Sequence, residues 1–458
     1  MKCNKALLNI SIVSLWIFLG SCKKNWLDQK PDSHLAVLQD LDSYQKLLDN
    51  PNTFSTSPYG EIGTDNYFIP QTFFSFLSAV DIAQYIWAPE GMPSSGDAVW
   101  SGFYKNIFSY NSALDGLSKI TITTENSSQY FQVYGSALFF RALDYFELAQ
   151  AYCKVFDSTT ASATPGLPLR LVPNISQKVN RSSVLDVYNQ IFSDLLKSKD
   201  MLPNNQQIYL NRPNKAAAFA LLARVYLSIG AFQQAYMSAD SAMQMYPNLL
   251  DYNTITPGNS IGLIPALQNP EVIYYSFTSV TDLATTIAKI DTTLLSSYDS
   301  NDLRKTCFFR FRTPPNQYGF KGTYDGKVAG YLFTAPAVDE LYLIHAECNA
   351  RLGRTTAAMN DLNILLINRW KTGTFVPLTA SSPDDALSMI LVERRKELVM
   401  RCVRWTDLRR LNKDSRFMHN IIHIYNANSY TLFPGSNLYV YPIPNDEVLY
   451  SGISNNPR

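Results

Sequence analysis

The chain has 458 residues and a formal charge of +1, with 17% charged and 13% aromatic residues. That length allows a large core or two to three domains, and the near-neutral balance leaves no electrostatic footprint for a nucleic-acid partner. The six cysteines are widely spaced with no CxxC, which argues against a zinc site, and the abundant tyrosine and phenylalanine suit sugar or peptide recognition as well as core filling.

Met1-Lys2-Cys3-Asn4-Lys5 is a short cationic start, and an apolar run follows from Ala6 to Leu19. These are the n-region and h-region of a secretory signal peptide. The run is too short for a transmembrane helix, which takes about 20 apolar residues. It closes at Leu19-Gly20-Ser21-Cys22, which resembles the lipobox of bacterial lipoproteins. That resemblance implies removal of residues 1–21, lipidation of Cys22, and a mature body over 22–458. Several acyl chains on one cysteine would supply the multiple anchors that stable attachment needs.

Asn50 to Asp97 is rich in Pro, Gly, Ser and aromatics and reads as long loops with short helices. Val133 to Tyr152 predicts a helix, with a partner over Val184 to Leu202 after an insertion containing Pro165-Gly166-Leu167-Pro168. Ala216 to Gly230 and Phe232 to Met245 form the clearest pair. Ala223, Ala235 and Ala242 allow close approach, Tyr226 supplies bulk between the two helices, and Gly230 and Pro247 end them. This matches the tetratricopeptide pattern of about 34 residues, and Val338 to Trp370 repeats it less strictly. Such pairs cannot bury their apolar faces alone, so they stack. Asp251 to Ala335 is irregular, with a strand-like piece at Val272 to Phe277. The expected fold is mostly α: one domain whose helical-repeat scaffold covers about 133–247 and 336–412, with loop-rich aromatic segments over about 50–132 and 251–335. Long loops on a rigid scaffold tend to carry function.

Gly258-Asn259-Ser260-Ile261-Gly262 matches GxSxG, but Pro257 and Pro265 deny it the strand and helix of a nucleophile elbow. HExxH, phosphate-loop and dinucleotide patterns are absent. No catalytic residue, cofactor or metal is therefore expected, with a secreted hydrolase using Ser260 as the enzymatic alternative. Asp299-Ser300-Asn301-Asp302 lacks the spacing of a calcium loop and reads as a solvated turn. Glu393-Arg394-Arg395-Lys396-Glu397-Leu398 and Arg404-Trp405-Thr406-Asp407-Leu408-Arg409-Arg410 interleave opposite charges. Pairing of Glu397 with Arg401 and of Glu393 with Lys396 along a helix is expected, with Asp407 taking a bidentate guanidinium. Together they read as an internal charge network. Cys348 and Cys402 fall in helical patterns and read as small buried residues.

Those charged residues also carry a family resemblance. With Asn25-Trp26-Leu27-Asp28, Trp100 to Ile107 plus Asn111, Arg141 to Leu148, Tyr441-Pro442-Ile443-Pro444 and Asn455-Asn456-Pro457, they make the chain similar to the SusD/RagB family, surface glycan-binding lipoproteins of Bacteroidetes. Met400-Arg401-Cys402 stands where the family usually has an acidic residue and a glycine. Asn368-Arg369-Trp370 is a reduced form of its arginine-rich third-repeat end. The resemblance implies a binding protein and not an enzyme, lipid-anchored at the outer face of the outer membrane, where it captures oligosaccharide or polysaccharide for a SusC-like TonB-dependent transporter. A RagB-like peptide ligand, or a helical-repeat interaction scaffold without a small ligand, is the alternative.

Sugars present flat C–H faces and hydroxyl rims, which aromatic rings and Asn, Asp or Arg side chains meet respectively. On that chemistry Tyr67, Tyr85, Trp87, Tyr318, Phe320 and Tyr324 are the candidate rings, and Asp65, Asn66 and Arg310 the candidate polar partners. Trp87, in the segment Trp87-Ala88-Pro89-Glu90-Gly91, is the first choice. Trp100 and Trp405 fall in helical motifs and read as structural.

Overall fold

A computed structural model describes residues 38–458 apart from 51, 53–54, 93–96, 206–207, 257–261, 281–286, 313–316, 322–323 and 327–330. The signal segment 1–21, Cys22 and Ser260 lie outside the described residues.

Helices α1 (Leu41–Leu48), α2 (Ala79–Tyr85) and α3 (Ala98–Leu117) lead into the scaffold. Three helix pairs then follow: α4 (Ser127–Tyr152) with α5 (Val184–Met201), α6 (Lys215–Ser228) with α7 (Phe232–Met245), and, beyond the short α8 (Thr292–Ser296) and α9 (Arg304–Phe308), α10 (Val338–Arg351) with α11 (Thr355–Ile367). α12 (Pro383–Glu397), α13 (Arg404–Leu411) and α14 (Asn445–Ser451) complete the helices. The pairs stack in order: α5 packs on α6, α7 on α10, and α10 on α12. The mostly helical, repeat-built architecture is the one expected.

The second pair illustrates how sequence sets the geometry. Asn214 caps α6, accepting from the Ala217 amide at 2.9 Å, and its amide group donates to the Tyr246 hydroxyl at 2.7 Å. One side chain therefore ties the start of α6 to the end of α7. Ala216, Ala220 and Ala223 of α6 and Ala235, Ala239 and Ala242 of α7 are all fully buried, and the two helices pack on each other. Methyl-sized side chains let the two backbones close together without voids. Gly230 ends α6 at φ 78°, a conformation open to glycine at no steric cost. The Tyr226 ring reaches beyond its own pair. It stacks on Phe192 of the preceding pair at 4.4 Å, and Tyr236 stacks on His345 of the following pair at 4.3 Å. Rings thus fill between pairs, where small residues would leave a gap, and small residues fill within them.

The strands form two-stranded antiparallel ladders. β1 (Tyr67–Phe68) pairs with β5 (Lys289–Ile290), β2 (Pro165–Pro168) with β3 (Arg181–Ser183), β4 (Phe277–Ser279) with β8 (Tyr331–Phe333), β6 (Phe309–Arg312) with β7 (Gln317–Phe320), and β9 (Ile421–Tyr425) with β10 (Asn428–Leu432). Of the strand-like piece Val272–Phe277 only Phe277 joins a ladder. Tyr274 is instead buried against Phe139 at 5.0 Å. The β1–β5 ladder and the Ser55–Phe277 bridge sew the two irregular segments into one body. The Thr56 hydroxyl, donating to Thr334 Oγ1 at 2.7 Å, adds a third stitch.

Candidate functional site

The expected charge network is present and buried. Arg304, fully buried on α9, donates to Asp302 at 2.7 Å, Glu393 at 2.5 Å and Glu397 at 3.0 Å. Arg369, equally buried, donates to Glu397 at 2.7 Å, Glu271 at 2.7 Å and the Leu250 carbonyl at 2.7 Å. Arg410 forks onto Glu347 at 2.6 and 2.8 Å. Against the cost of burial, Arg410 and Arg351 hold the Glu347 carboxyl down to about 2. Glu393 and Lys396 pair as expected, at 2.9 Å. Glu397 and Arg401 do not, because α12 ends at Glu397 and the chain turns through positive φ at Met400 and Cys402. Arg401 reaches Asp339 instead, at 2.9 Å. Asp407 takes two arginines singly, Arg394 and Arg410, each at 2.8 Å, and no bidentate one. Cys402 lies in that turn and not in a helix. Asp299 and Ser300 are exposed in a turn as expected, but Asp302 at its end belongs to the buried network. Among the described residues no group of His, Cys, Asp and Glu is arranged to hold a metal.

The candidate ligand residues divide into core and surface. Tyr67, Tyr85, Trp87, Phe320 and Tyr324 are buried at 2–5% exposure, so none offers a free ring face, and their expected role as stacking rings is corrected to packing. Trp87 stacks on His423 at 4.4 Å and donates from Nε1 to the Gly63 carbonyl at 3.0 Å. His423 in turn stacks on Tyr85 at 4.1 Å, giving a three-ring sandwich. Burial pushes its imidazole down to about 4. The Tyr324 hydroxyl donates to Glu271. Asn66 is buried and donates to Glu61 at 2.7 Å. Asp65 receives a fork from Arg404 at 2.7 and 2.8 Å, with His419 at 3.2 Å. Against burial, Arg404 holds that carboxyl well below its usual range. These polar groups are already satisfied within the protein. His423 is the residue that sequence reasoning missed. Its signal was the alternation of β9, in which Ile421 and His423 point inward and Ile422 and Ile424 outward.

The surface members sit on the β6–β7 hairpin. Phe311 and Tyr318 stand directly opposite each other across the ladder, rings 5.3 Å apart and edge to face. Phe311 is 49% exposed and Tyr318 is half-buried, while Arg310, also half-buried, pairs with Gly319 and by strand alternation points to the other face of the hairpin. The opposite end of the same hairpin turns Phe309 and Phe320 into the core. β7 lies beside β5, and Lys289 of β5 places its ammonium 4.7 Å from the ring of Phe73. Phe73 touches Phe76, which is 72% exposed. Segments 71–76 and 309–320 therefore contribute exposed rings to one loop-built face.

Comparison with known families decides the assignment. Residues 25–227 match the SusD-like family described as starch-binding and associating with the outer membrane, and residues 339–457 match the SusD family proper. The chain belongs to the SusD/RagB family. Solved structures agree with that fold. A SusD-like carbohydrate binding protein from Bacteroides vulgatus ATCC 8482 superposes with a TM-score of 0.70 at 19% identity, covering 91% of this chain and 97% of its own. A SusD superfamily protein from Bacteroides thetaiotaomicron VPI-5482 gives 0.68 at 21% identity, covering 91% and 100%. A laminarin binding SusD-like protein gives 0.63 at 18%, covering 90% and 97%. A search of curated proteins gives no match.

In this SusD/RagB protein the two motif departures have visible structural consequences. Arg401, in the stretch where the family usually has an acidic residue, stacks over Tyr324 at 4.1 Å as well as pairing with Asp339. Cys402 holds φ 56° where glycine would be unstrained. Arg369, in the reduced third-repeat end, is nevertheless one of the most completely buried groups of the network. Among the described residues no helix is long and apolar enough to cross a membrane.

Proposed function

We propose that this SusD/RagB protein captures oligosaccharide or polysaccharide on its loop-built face and hands it to a SusC-like TonB-dependent transporter, while a lipid on Cys22 tethers it to the outer face of the outer membrane. The observation that carries the ligand half is the Phe311–Tyr318 pair on the β6–β7 hairpin, in which Phe311 is exposed and rests edge to face on half-buried Tyr318. An aromatic side chain left in water gives up burial worth about 1.5–3 kcal/mol, so an exposed ring backed edge-on by a second ring suits stacking against the C–H face of a sugar. The family's description as starch-binding supports the ligand class.

Calorimetry with polysaccharides, oligosaccharides and a peptide pool tests the reading. Phe311→Ala with Tyr318→Ala is expected to weaken glycan binding by about tenfold or more, near 1.4 kcal/mol, while leaving the thermal midpoint nearly unchanged. Saturable peptide binding alone would replace the glycan with a peptide ligand. Intact mass of protein extracted from membranes tests the tether. The expected species begins at Cys22 and carries acyl mass, and an unmodified N-terminus overturns it.

A further inference from the structure

A second concavity lies away from the hairpin. α3, the segment following β2, and α14 line an open cleft of about 380 Å³. Ligand clefts typically span roughly 300–1,000 Å³ and combine apolar walls with a few convergent polar groups. The walls here include Tyr104, Phe108, Ile175 and Tyr450, and the polar pair is Arg170 with Glu447.

The polar pair is firmly built. The Arg170 guanidinium bonds Glu447 at 3.3 Å and the Gln177 carbonyl at 2.7 Å, and lies 5.9 Å from the centre of the Tyr104 ring. Its own carbonyl accepts from Tyr145 at 2.8 Å and Asn111 at 2.9 Å, fixing the backbone. Both side chains are 18% exposed. A guanidinium has five N–H donors, and two are engaged here. Arg170 and Ser451 both bond Glu447 through Oε1, which leaves Oε2 to accept from a ligand. A donor and an acceptor thus stand side by side, the arrangement that reads two neighbouring hydroxyls. At the mouth the Phe108 and Tyr450 rings are 39% and 52% exposed. Isolated exposed rings are ordinary. Two that line one concavity around a held Arg–Glu pair are not scattered surface.

We propose that this cleft is a second carbohydrate subsite, taking one or two pyranose rings by stacking on Phe108 and Tyr450 with vicinal hydroxyls on Arg170 and Glu447. It goes beyond the loop-face site and does not depend on it. The consequence is bivalent engagement of a polysaccharide: two sites on one chain raise avidity without any new contact, provided the glycan spans both.

The test uses Tyr450→Trp, which keeps an aromatic face and adds a fluorescent reporter at an exposed position, with the parent chain titrated in parallel. The probes are laminari-, cello-, malto- and xylohexaose, an oligogalacturonate and a peptide pool, each at millimolar concentration. At least one saccharide is expected to give a saturable change. That change should persist with Phe311→Ala and Tyr318→Ala, and weaken about tenfold on adding Phe108→Ala or Glu447→Gln. Loss of the signal with the hairpin variants alone would assign it to the loop face and overturn the cleft. Silence to every saccharide, a response to peptide only, or binding indifferent to both Phe108→Ala and Glu447→Gln would also overturn it. Failure of the hairpin variants to alter any binding, with the cleft signal intact, would sink the loop-face reading instead.

Discussion

Cys402 holds a left-handed backbone conformation without being glycine, which costs on the order of 1 kcal/mol or more. Its carbonyl also forbids a side chain at Gly60, where an added Cβ would sit 1.9 Å from the oxygen. Cys402→Gly is expected to raise unfolding free energy by about 1 kcal/mol, read from urea titration, whereas Gly60→Ala should lower expression and stability together. Trp87, buried in its sandwich with His423, behaves oppositely: Trp87→Ala is expected to cost about 3–5 kcal/mol of stability, with glycan affinity of the remaining folded fraction unchanged. Titration has a residue-scale signature too. Burial pushes Glu61 and Glu147 up to about 7. Their folded values exceed the unfolded ones, so their contribution is full below the ordinary carboxylate range and is lost as pH rises through about 7. His423, pushed down to about 4 by burial, contributes above its ordinary value and loses that contribution as pH falls through about 4. Melting temperatures should therefore decline from about pH 5 to about pH 8, and Glu147→Gln should flatten that decline.

At the scale of elements, α12 and α13 are joined to α9, α10 and the 368–370 turn by carboxylates shared between arginines. Glu397 alone serves both Arg304 and Arg369. Removing one partner of a buried pair strands the other charge, so Glu397→Ala is expected to cost about 3–5 kcal/mol in chemical denaturation. Arg416→Ala, at the exposed pair with Asp384, should change stability by only about 0–1 kcal/mol. The helix pairs were legible because alanine spacing, Gly230 and Pro247 are local signals that every turn of α6 and α7 repeats. The interleaved charges of 393–410 were legible as a network, but their partners were not. Arg401 reaches Asp339 and Arg404 reaches Asp65, choices set by a turn at 398–402 that no periodicity encodes. The loop rings were the least legible. An aromatic in a Pro- and Gly-rich segment looks alike whether it faces water or a histidine more than 300 residues away, and the Tyr85 carbonyl accepting from His423 is such a pair.

Across the whole molecule, the repeat pairs close over short sequence distances while the loop face closes over long ones. β1 finds β5, Thr56 finds Thr334, Gln71 finds Asn426, and Asp65 finds Arg404. Each stitch must immobilise a long stretch of chain before it gains anything, and such contacts slow folding. The order of events is thereby set. The α6 and α7 amides should gain protection from solvent exchange early in refolding, and those of 61–69 only after the 421–432 hairpin is in place, a sequence that pulse-labelled hydrogen exchange can read. A chain that matures in this order spends its slowest interval with the scaffold formed and the loop-built side still open, so that side is where a helper of folding would have most to hold.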